Sequence, residues 1–377
     1  MIYATVRRKI EPKQITWEEV LFDEVSPADF FPQTLQSTGT ITNRFMTVPE
    51  KLKPPMKIET MINKLLSFNI SHASLIAKED KSDLYTHFCI PKKTGGLRPI
   101  DAPVSELQNA LGELVDLLKS FGLLYHTSAF AYIKDRSIVD CLKRHQLNDS
   151  KWFLKTDFSG FFPNTTLDFT MKMLKMVYPL SEVCARPEGL HALRSALSLG
   201  FLNGGLPQGT KLSPFITNVL MIPIDFELFN RLAHRKIVYT RYADDMHISA
   251  QEKFPYKEIV EIIRDVLKMF DAPYVLKDEK THFGSRAGRN WNLGLMLNKD
   301  NDITVGYRTK KQFKAMMTNF ILDTIHEKPW PVEDVATLKG KLSYYKMIEP
   351  TYFERIVWNM ERKWRVNVKQ LFKTYQV

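Results

Sequence analysis

Residues 240–250 read TRYADDMHISA, with two adjacent aspartates, Asp244 and Asp245, between arms rich in strand-forming residues. Neighbouring carboxylates repel each other, and aspartate is depleted in sheets. The stretch therefore predicts a hairpin whose tight turn holds the aspartates. A carboxylate cluster is stable at neutral pH where a divalent cation sits within it. Mg²⁺ suits such hard oxygen ligands and commonly binds one or two carboxylates together with substrate phosphates. Two such ions a few ångströms apart stabilise both the attacking and the leaving oxygen of a phosphoryl displacement. The natural third carboxylate is Asp157, in the stretch KWFLKTDFSGFFPN, at the end of its own predicted strand and before a turn at Pro163 and Asn164.

The rest of the composition suits a nucleic-acid partner. Lys and Arg outnumber Asp and Glu by 53 to 42 in 377 residues, a net charge of +11, which favours an acidic partner. With 44% hydrophobic and 12% aromatic residues, the chain is globular rather than disordered. Its length predicts two or three subdomains. Three cysteines without a CxxC pair argue against a disulfide framework or zinc module and fit a reducing compartment. No apolar run reaches a membrane span, and the start, MIYATVRRKIEPKQ, lacks a signal-peptide core. The expectation is a soluble cytoplasmic protein with no membrane partner.

Along the chain, YTHFCIPKKTGGLRPIDAP reads as strand, basic Gly-Gly turn and second strand. SELQNALGELVDLLKSFG predicts a helix capped by Ser105 and ended at Gly122. SALSLGFLNGGLPQGTKLSPFITNVLMIPIDFELFNRL reads as a glycine-rich loop entering one long apolar helix. YKEIVEIIRDVLKMF is amphipathic, with Ile259, Ile262, Ile263, Val266 and Leu267 on its apolar face. The last 70 residues or so are helical, basic and aromatic. Residues 1–50 carry no assignable chemistry.

Taken together, these segments resemble the reverse transcriptases, motif by motif and in order. IPKKTGGLRPIDAP resembles the fingers hairpin and FLKTDFSGFFPN the first carboxylate motif. GLPQGTKLSPFITN resembles the template and nucleotide loop, YADD the catalytic hairpin, and VLKDEKTHF the lysine motif. NLGLMLN resembles the primer grip, and LKGKLSYYKMIEPTYFERI the start of the thumb. One YADD is a weak signal; six ordered motifs over residues 55 to 370 are strong. The resemblance implies an α+β right-hand polymerase: an N-terminal extension (1–50), fingers (51–150), a palm (151–305) whose antiparallel sheet carries the YADD hairpin, and a helical thumb (306–377).

It also implies roles. Asp157, Asp244 and Asp245 would hold two Mg²⁺ ions, with Mn²⁺ as a substitute, and Lys280, or failing it Lys277, would neutralise departing pyrophosphate. Lys92 or Lys93, with Arg98, would hold the triphosphate of a dNTP, guanidinium geometry suiting phosphate. Phe162 matches the gate against a ribose 2′-OH, and Gln208 and Gly209 the loop against the nascent pair. Tyr242, Asn292, Gly294, Tyr344 and Tyr345 would meet primer and template. The expected function is RNA-directed DNA synthesis on an RNA template, through an RNA–DNA hybrid recognised by its backbone.

HTSAFAYIKDRSIVDCLKRH resembles a segment of bacterial retron-type enzymes, although Asp140 and Cys141 replace the usual Asn-Ala and Asn292-Leu293-Gly294 the usual Val-Thr-Gly. His145 receives no role. The retron and antiviral-defence group implies a dedicated non-coding RNA template, with an effector protein or homo-oligomer as further partner. Untemplated or protein-primed synthesis, RNA-dependent RNA synthesis, a group II intron-like maturase and a non-enzymatic RNA-binding scaffold stay open as alternatives.

Overall fold

The computed structural model describes residues 56–92, 95–288 and 293–375; the N-terminal extension, Lys93 and Asn292 lie outside them. The chain forms two compact units. The first comprises residues up to Arg136, Leu154–Ile248 and Phe254–His282; the second comprises Ser137–Phe153, Ser249–Lys253 and Phe283–Val377.

In the first unit, β1 (Tyr85–Pro91) and β2 (Leu97–Pro103) pair antiparallel with Phe88 opposite Ile100 and Ile90 opposite Arg98. The connection closes through Lys92 N–H donating to Gly96 O at 3.0 Å and Gly95 N–H donating to Lys92 O at 3.1 Å. Both glycines have positive φ, 87° and 82°, which the Gly-Gly doublet makes easy. Helix Ser105–Lys119 follows, burying Leu107, Ala110, Leu111, Leu114, Val115 and Leu118. Ser105 is its first helical residue and makes no cap; Val104, extended, precedes it. Proline at 103 already holds the entering chain extended, so no hydroxyl is needed to stop the helix earlier.

A second sheet runs β4–β5–β3–β6, with β7 also pairing β3. These strands are β3 (Trp152–Ser159), β4 (Val238–Tyr242), β5 (Asp245–Ala250), β6 (Val275–Leu276) and β7 (His282–Ser285). β4 and β5 form the expected hairpin around Ala243 and Asp244. The antiparallel pairing of β3 with β6 places Phe158 opposite Leu276. After β3 the chain turns at Gly160 (φ 58°) into a short helix, Phe161–Asn164, rather than a simple turn.

The predicted long apolar helix is two helices, Leu212–Leu220 and Ile222–Ala233, bent by 47° at Met221. Pro223 in the first turn of the second helix cannot donate a backbone hydrogen bond to the helix before it. No single helix among the described residues is long and apolar enough to cross a membrane. The bend sets Asn218 and Asp225 around one guanidinium. Arg241, on β4, is fully buried, as is Asp225. Its Nε and Nη2 donate to Asp225 at 2.9 and 2.7 Å, and its Nη1 donates to Asn218 Oδ1 at 3.2 Å and to Ala243 O at 3.0 Å. Tyr239 Oη donates to Asp225 Oδ1 at 2.8 Å. Burial opposes the charge on Arg241, but the Asp225 carboxylate overrides it and holds the guanidinium more strongly protonated than usual.

The second unit is built on helices Tyr307–Ile325, Val332–Ile348, Pro350–Trp364 and Val368–Thr374. They share an aromatic core in which Phe313 meets Phe353 edge-on at 5.3 Å and Phe320 stacks on Phe372 at 5.3 Å. A short ribbon, β8 (Met296–Leu297) with β9 (Ile303–Thr304), adds Leu297 and Ile303 to that core. His145 is buried with Nδ1 at 2.6 Å from Ser249 Oγ, which donates to Ser150 Oγ at 2.7 Å. This histidine serves packing.

Breaking the Arg241 pair alone leaves a buried, uncompensated carboxylate. Arg241→Met is expected to lose about 3–5 kcal/mol in denaturant unfolding. The double variant Arg241→Met, Asp225→Leu, which removes both charges, should lose less than that single change.

Candidate active site

β3 and the β4–β5 turn bring Asp157 together with Asp244 and Asp245. Asp157 is 4% exposed. Its carboxylate accepts from Lys277 Nζ at 3.3 Å and from Lys280 Nζ at shorter range. Lys277 is positioned by its own backbone N–H, which donates to Asp157 O at 2.9 Å. The two lysine candidates are therefore not alternatives: both reach the same carboxylate. The pairing with Asp157 holds Lys280 more firmly protonated than a free lysine.

The aspartates of the turn are electrostatically crowded. Desolvation first, then the charges of Asp157 and Asp245, push Asp244 up from its ordinary 3.8 to about 6. Asp245 is raised by desolvation and by Asp157, with Lys280, Lys277 and Lys155 opposing. Lys155 lies two residues before Asp157 on β3, so it shares that face of the sheet. Burial lowers its pKa, and the field of Asp245 works against the drop. Ala243, between Tyr242 and Asp244, has φ 59°. A non-glycine residue in left-handed backbone costs about 1–2 kcal/mol; the hydrogen bond from Arg241 to its carbonyl holds the turn in that shape.

Among the described residues, no group of three or more His, Cys, Asp or Glu side chains forms a ready-made metal cage. The donor chemistry nonetheless fits a hard divalent ion. Three carboxylates are crowded in a partly desolvated site, and a cation among them relieves both penalties. Mg²⁺ sites of this type complete their shell with water and substrate phosphate instead of a closed protein cage.

The glycine-rich loop clasps the segment after β3. Leu206 N–H donates to Phe162 O at 3.1 Å, and a Cβ on Gly205 would stand 2.0 Å from Pro163 O. Only glycine allows that approach. Phe162 is half-buried, its ring 5.5 Å from Phe161. On the loop's other side, Asp101 N–H donates to Gln208 O at 2.8 Å, and Gly209, with φ 127°, has no room for a Cβ beside Asp101 O at 2.8 Å. The loop thus joins hairpin β1–β2 to the Phe162–Pro163 segment. Lys92 and Arg98 lie exposed on that hairpin.

Tyr242 is half-buried at the end of β4. Gly294 (φ 83°), Tyr344 and Tyr345 belong to the second unit. The Tyr345 ring is committed to the core there, stacking on Phe353 at 5.2 Å and meeting Phe313 edge-on at 5.5 Å, while Tyr344 is 38% exposed. Sequence reasoning passed over Arg241, Asp225, Asn218 and Lys155. The doublet Gly204-Gly205 was the available signal for the loop's close approach.

Comparison with known proteins agrees with the motif order. A family model described as reverse transcriptase (RNA-dependent DNA polymerase) matches residues 90–319, more than half of the chain. The Retron Ec83 reverse transcriptase of Escherichia coli is 25% identical over 80% of this chain and 93% of its own length. The Retron Ec73 reverse transcriptase of the same species is 26% identical over 74% and 88%. Among solved structures, telomerase from Candida albicans in complex with a telomeric RNA fragment aligns at 14% identity and a TM-score of 0.43, over 83% of this chain and less than two thirds (62%) of that one.

The raised pKa of Asp244 has a defined sign. The folded state holds its proton more tightly than the unfolded chain, so its contribution to stability is full below about 3.8 and is lost as pH rises through about 6. In metal-free buffer near about pH 8 the ionised group is a net burden. Asp244→Asn should therefore melt higher than the parent protein there, and the difference should narrow, without closing, as pH falls to about 5. The same substitution should abolish DNA synthesis. Melting curves with a chelator at both pH values check the sign.

Proposed function

Because the chain belongs to the reverse transcriptase (RNA-dependent DNA polymerase) family, we propose that the cluster of Asp157, Asp244 and Asp245 is its nucleotidyl-transfer centre and copies RNA into DNA. The observation that carries this is the meeting of three carboxylates with Lys277 and Lys280 beside a glycine loop that clasps the Phe162 segment. When bound, a pair of divalent ions, Mg²⁺ or Mn²⁺, supplies the positive charge for the attacking and leaving oxygens. Asp157 and Asp244 would hold the ions, with Asp245 as a further ligand.

A primer 3′ oxygen bonds to the α-phosphorus of a dNTP as the bond to the β-phosphate bridging oxygen breaks. Pyrophosphate leaves, and the hydroxyl proton passes to solvent. Lys280, exposed at its end beside Asp157, is placed to meet the leaving charge, while Lys277, tied by its backbone N–H to Asp157 O, holds its place against β3. Arg98 and Lys92 draw the triphosphate toward the hairpin. Gln208 and Gly209 pack against the nascent pair, and Phe162 stands where a ribose 2′-OH would project. Position and charge are the protein's main contribution.

The retron relatives support a finer assignment: a retron-like enzyme acting on a dedicated non-coding RNA, with anti-phage defence as its setting. Purification with co-bound RNA, followed by sequencing of RNA and of DNA made from labelled dNTPs, tests it. The expected product is DNA complementary to one bound RNA, absent from the Asp244→Ala, Asp245→Ala variant. Product unrelated to any bound RNA would assign untemplated synthesis instead.

Phe162→Val should raise ribonucleotide incorporation relative to deoxyribonucleotide by about 10–100-fold, with deoxynucleotide insertion largely kept. Single-nucleotide insertion with paired dNTP and rNTP measures the ratio. An unchanged ratio would return Phe162 to the role of a packing aromatic beside Phe161.

A further inference from the structure

Ala243 shares its left-handed backbone with a second non-glycine residue near the catalytic turn, Tyr132, at φ 58°. A tight hairpin turn accounts for Ala243. For a bulky aromatic the same backbone is an outlier, and such strain persists only where the surroundings over-determine it. Here they do. Arg241 N–H donates to Ser128 O at 2.7 Å, Phe130 N–H donates to Arg241 O at 2.9 Å, and Asn218 Nδ2 donates to Ala131 O at 2.7 Å. Ala129, Phe130 and Ala131 are buried at 0%, 4% and 0% exposure. Tyr132, the next residue, is 63% exposed.

The pinning comes from the same groups that shape the catalytic turn. Asn218 accepts from the Arg241 nitrogen that also donates to Ala243 O. One buried guanidinium thus sets both Ala243, next to Asp244, and the segment that delivers Tyr132. The Tyr132 phenol lies within the electrostatic reach of the site: desolvation, then Asp244 and Tyr242, raise its pKa, and Arg98 opposes them. Ala129 bridges Arg241 in parallel, so Tyr132, three residues on, runs alongside the turn that carries Asp244, exposed and strained.

We infer that Tyr132 is a substrate-contacting residue whose ring, beside Tyr242, seats the last base pair of the primer–template hybrid. This rests on the polymerase function proposed above. A phenol offers a flat apolar face and a polar edge, which suits the sugar and base edge of a nucleic acid whatever its sequence. Carried alongside the turn that holds Asp244, the ring stands at the reacting end of the hybrid.

The alternative, a turn residue that happens to be tyrosine, shares the melting shift and differs in hybrid binding. Glycine relieves left-handed strain, so Tyr132→Gly should melt higher than the parent whichever role holds. If the ring seats the hybrid, the same variant should bind a fluorescent RNA–DNA primer–template about tenfold more weakly, with a smaller change in KM for dNTP. Tyr132→Phe should recover most of that loss. A Tyr132→Gly protein that melts higher and binds the hybrid like the parent would overturn the inference. So would a lower melting temperature, which would make the ring structural, or an effect confined to KM for dNTP. Binding by anisotropy is read apart from extension. A parent protein that binds the hybrid without extending it would refute the polymerase proposal while leaving the Tyr132 comparison readable, and one that binds no hybrid would refute both.

Discussion

The active site depends on a charge that never meets solvent. Arg241 lies at the centre of the first unit with no exposure, forked onto Asp225 and reaching Asn218 and the carbonyl of Ala243. Crowding carboxylates into a desolvated turn is unfavourable, and left-handed backbone at alanine adds to the cost. Such a turn persists only if its shape is imposed from elsewhere. The guanidinium imposes it, and because its partners Asp225 and Asn218 sit on two packed helices, the turn inherits the rigidity of the core.

The second constraint is close approach. Gly205 and Gly209 let one loop touch Pro163 on one side and Asp101 on the other. The Phe162–Pro163 segment and the basic hairpin are therefore fixed relative to each other by backbone contacts that no side chain could permit. The carboxylates of β3 and the hairpin supply charge, the loop supplies spacing, and the lysines Lys277 and Lys280 keep Asp157 compensated. Each element is a modest device; their agreement on one place makes a site of them.

Much of this was legible in the chain. The paired aspartates between strand formers pointed to the hairpin, because aspartate is depleted in strands and neighbouring carboxylates repel. The Gly-Gly doublets marked turns, and the ordered motifs located Asp157 and both lysines. Three features were not legible, for physical reasons. Partner choice by a buried arginine is a tertiary fact, since nothing local to Arg241 points to Asp225. Pro223 announced a helix start, yet the apolar run on either side of Met221 masked the break. Backbone strain at Tyr132 leaves no trace in composition, and a tyrosine in a loop reads as ordinary. At Tyr345 an aromatic beside lysines suggests nucleic acid or a packed helical face alike; its ring lies against Phe353 and Phe313.

The role proposed for the carboxylates of Asp157, Asp244 and Asp245 is to hold divalent cations with a nucleotide. Mn²⁺ binding followed by electron paramagnetic resonance, with and without a dNTP, tests it most directly. Binding should tighten when the dNTP is present, because phosphate oxygens complete the shell. It should weaken as pH falls through about 6, where Asp244 takes up its proton, and it should vanish in Asp157→Asn. Binding that ignores pH and nucleotide, or that survives loss of Asp157, would place the ion elsewhere and contradict the assignment.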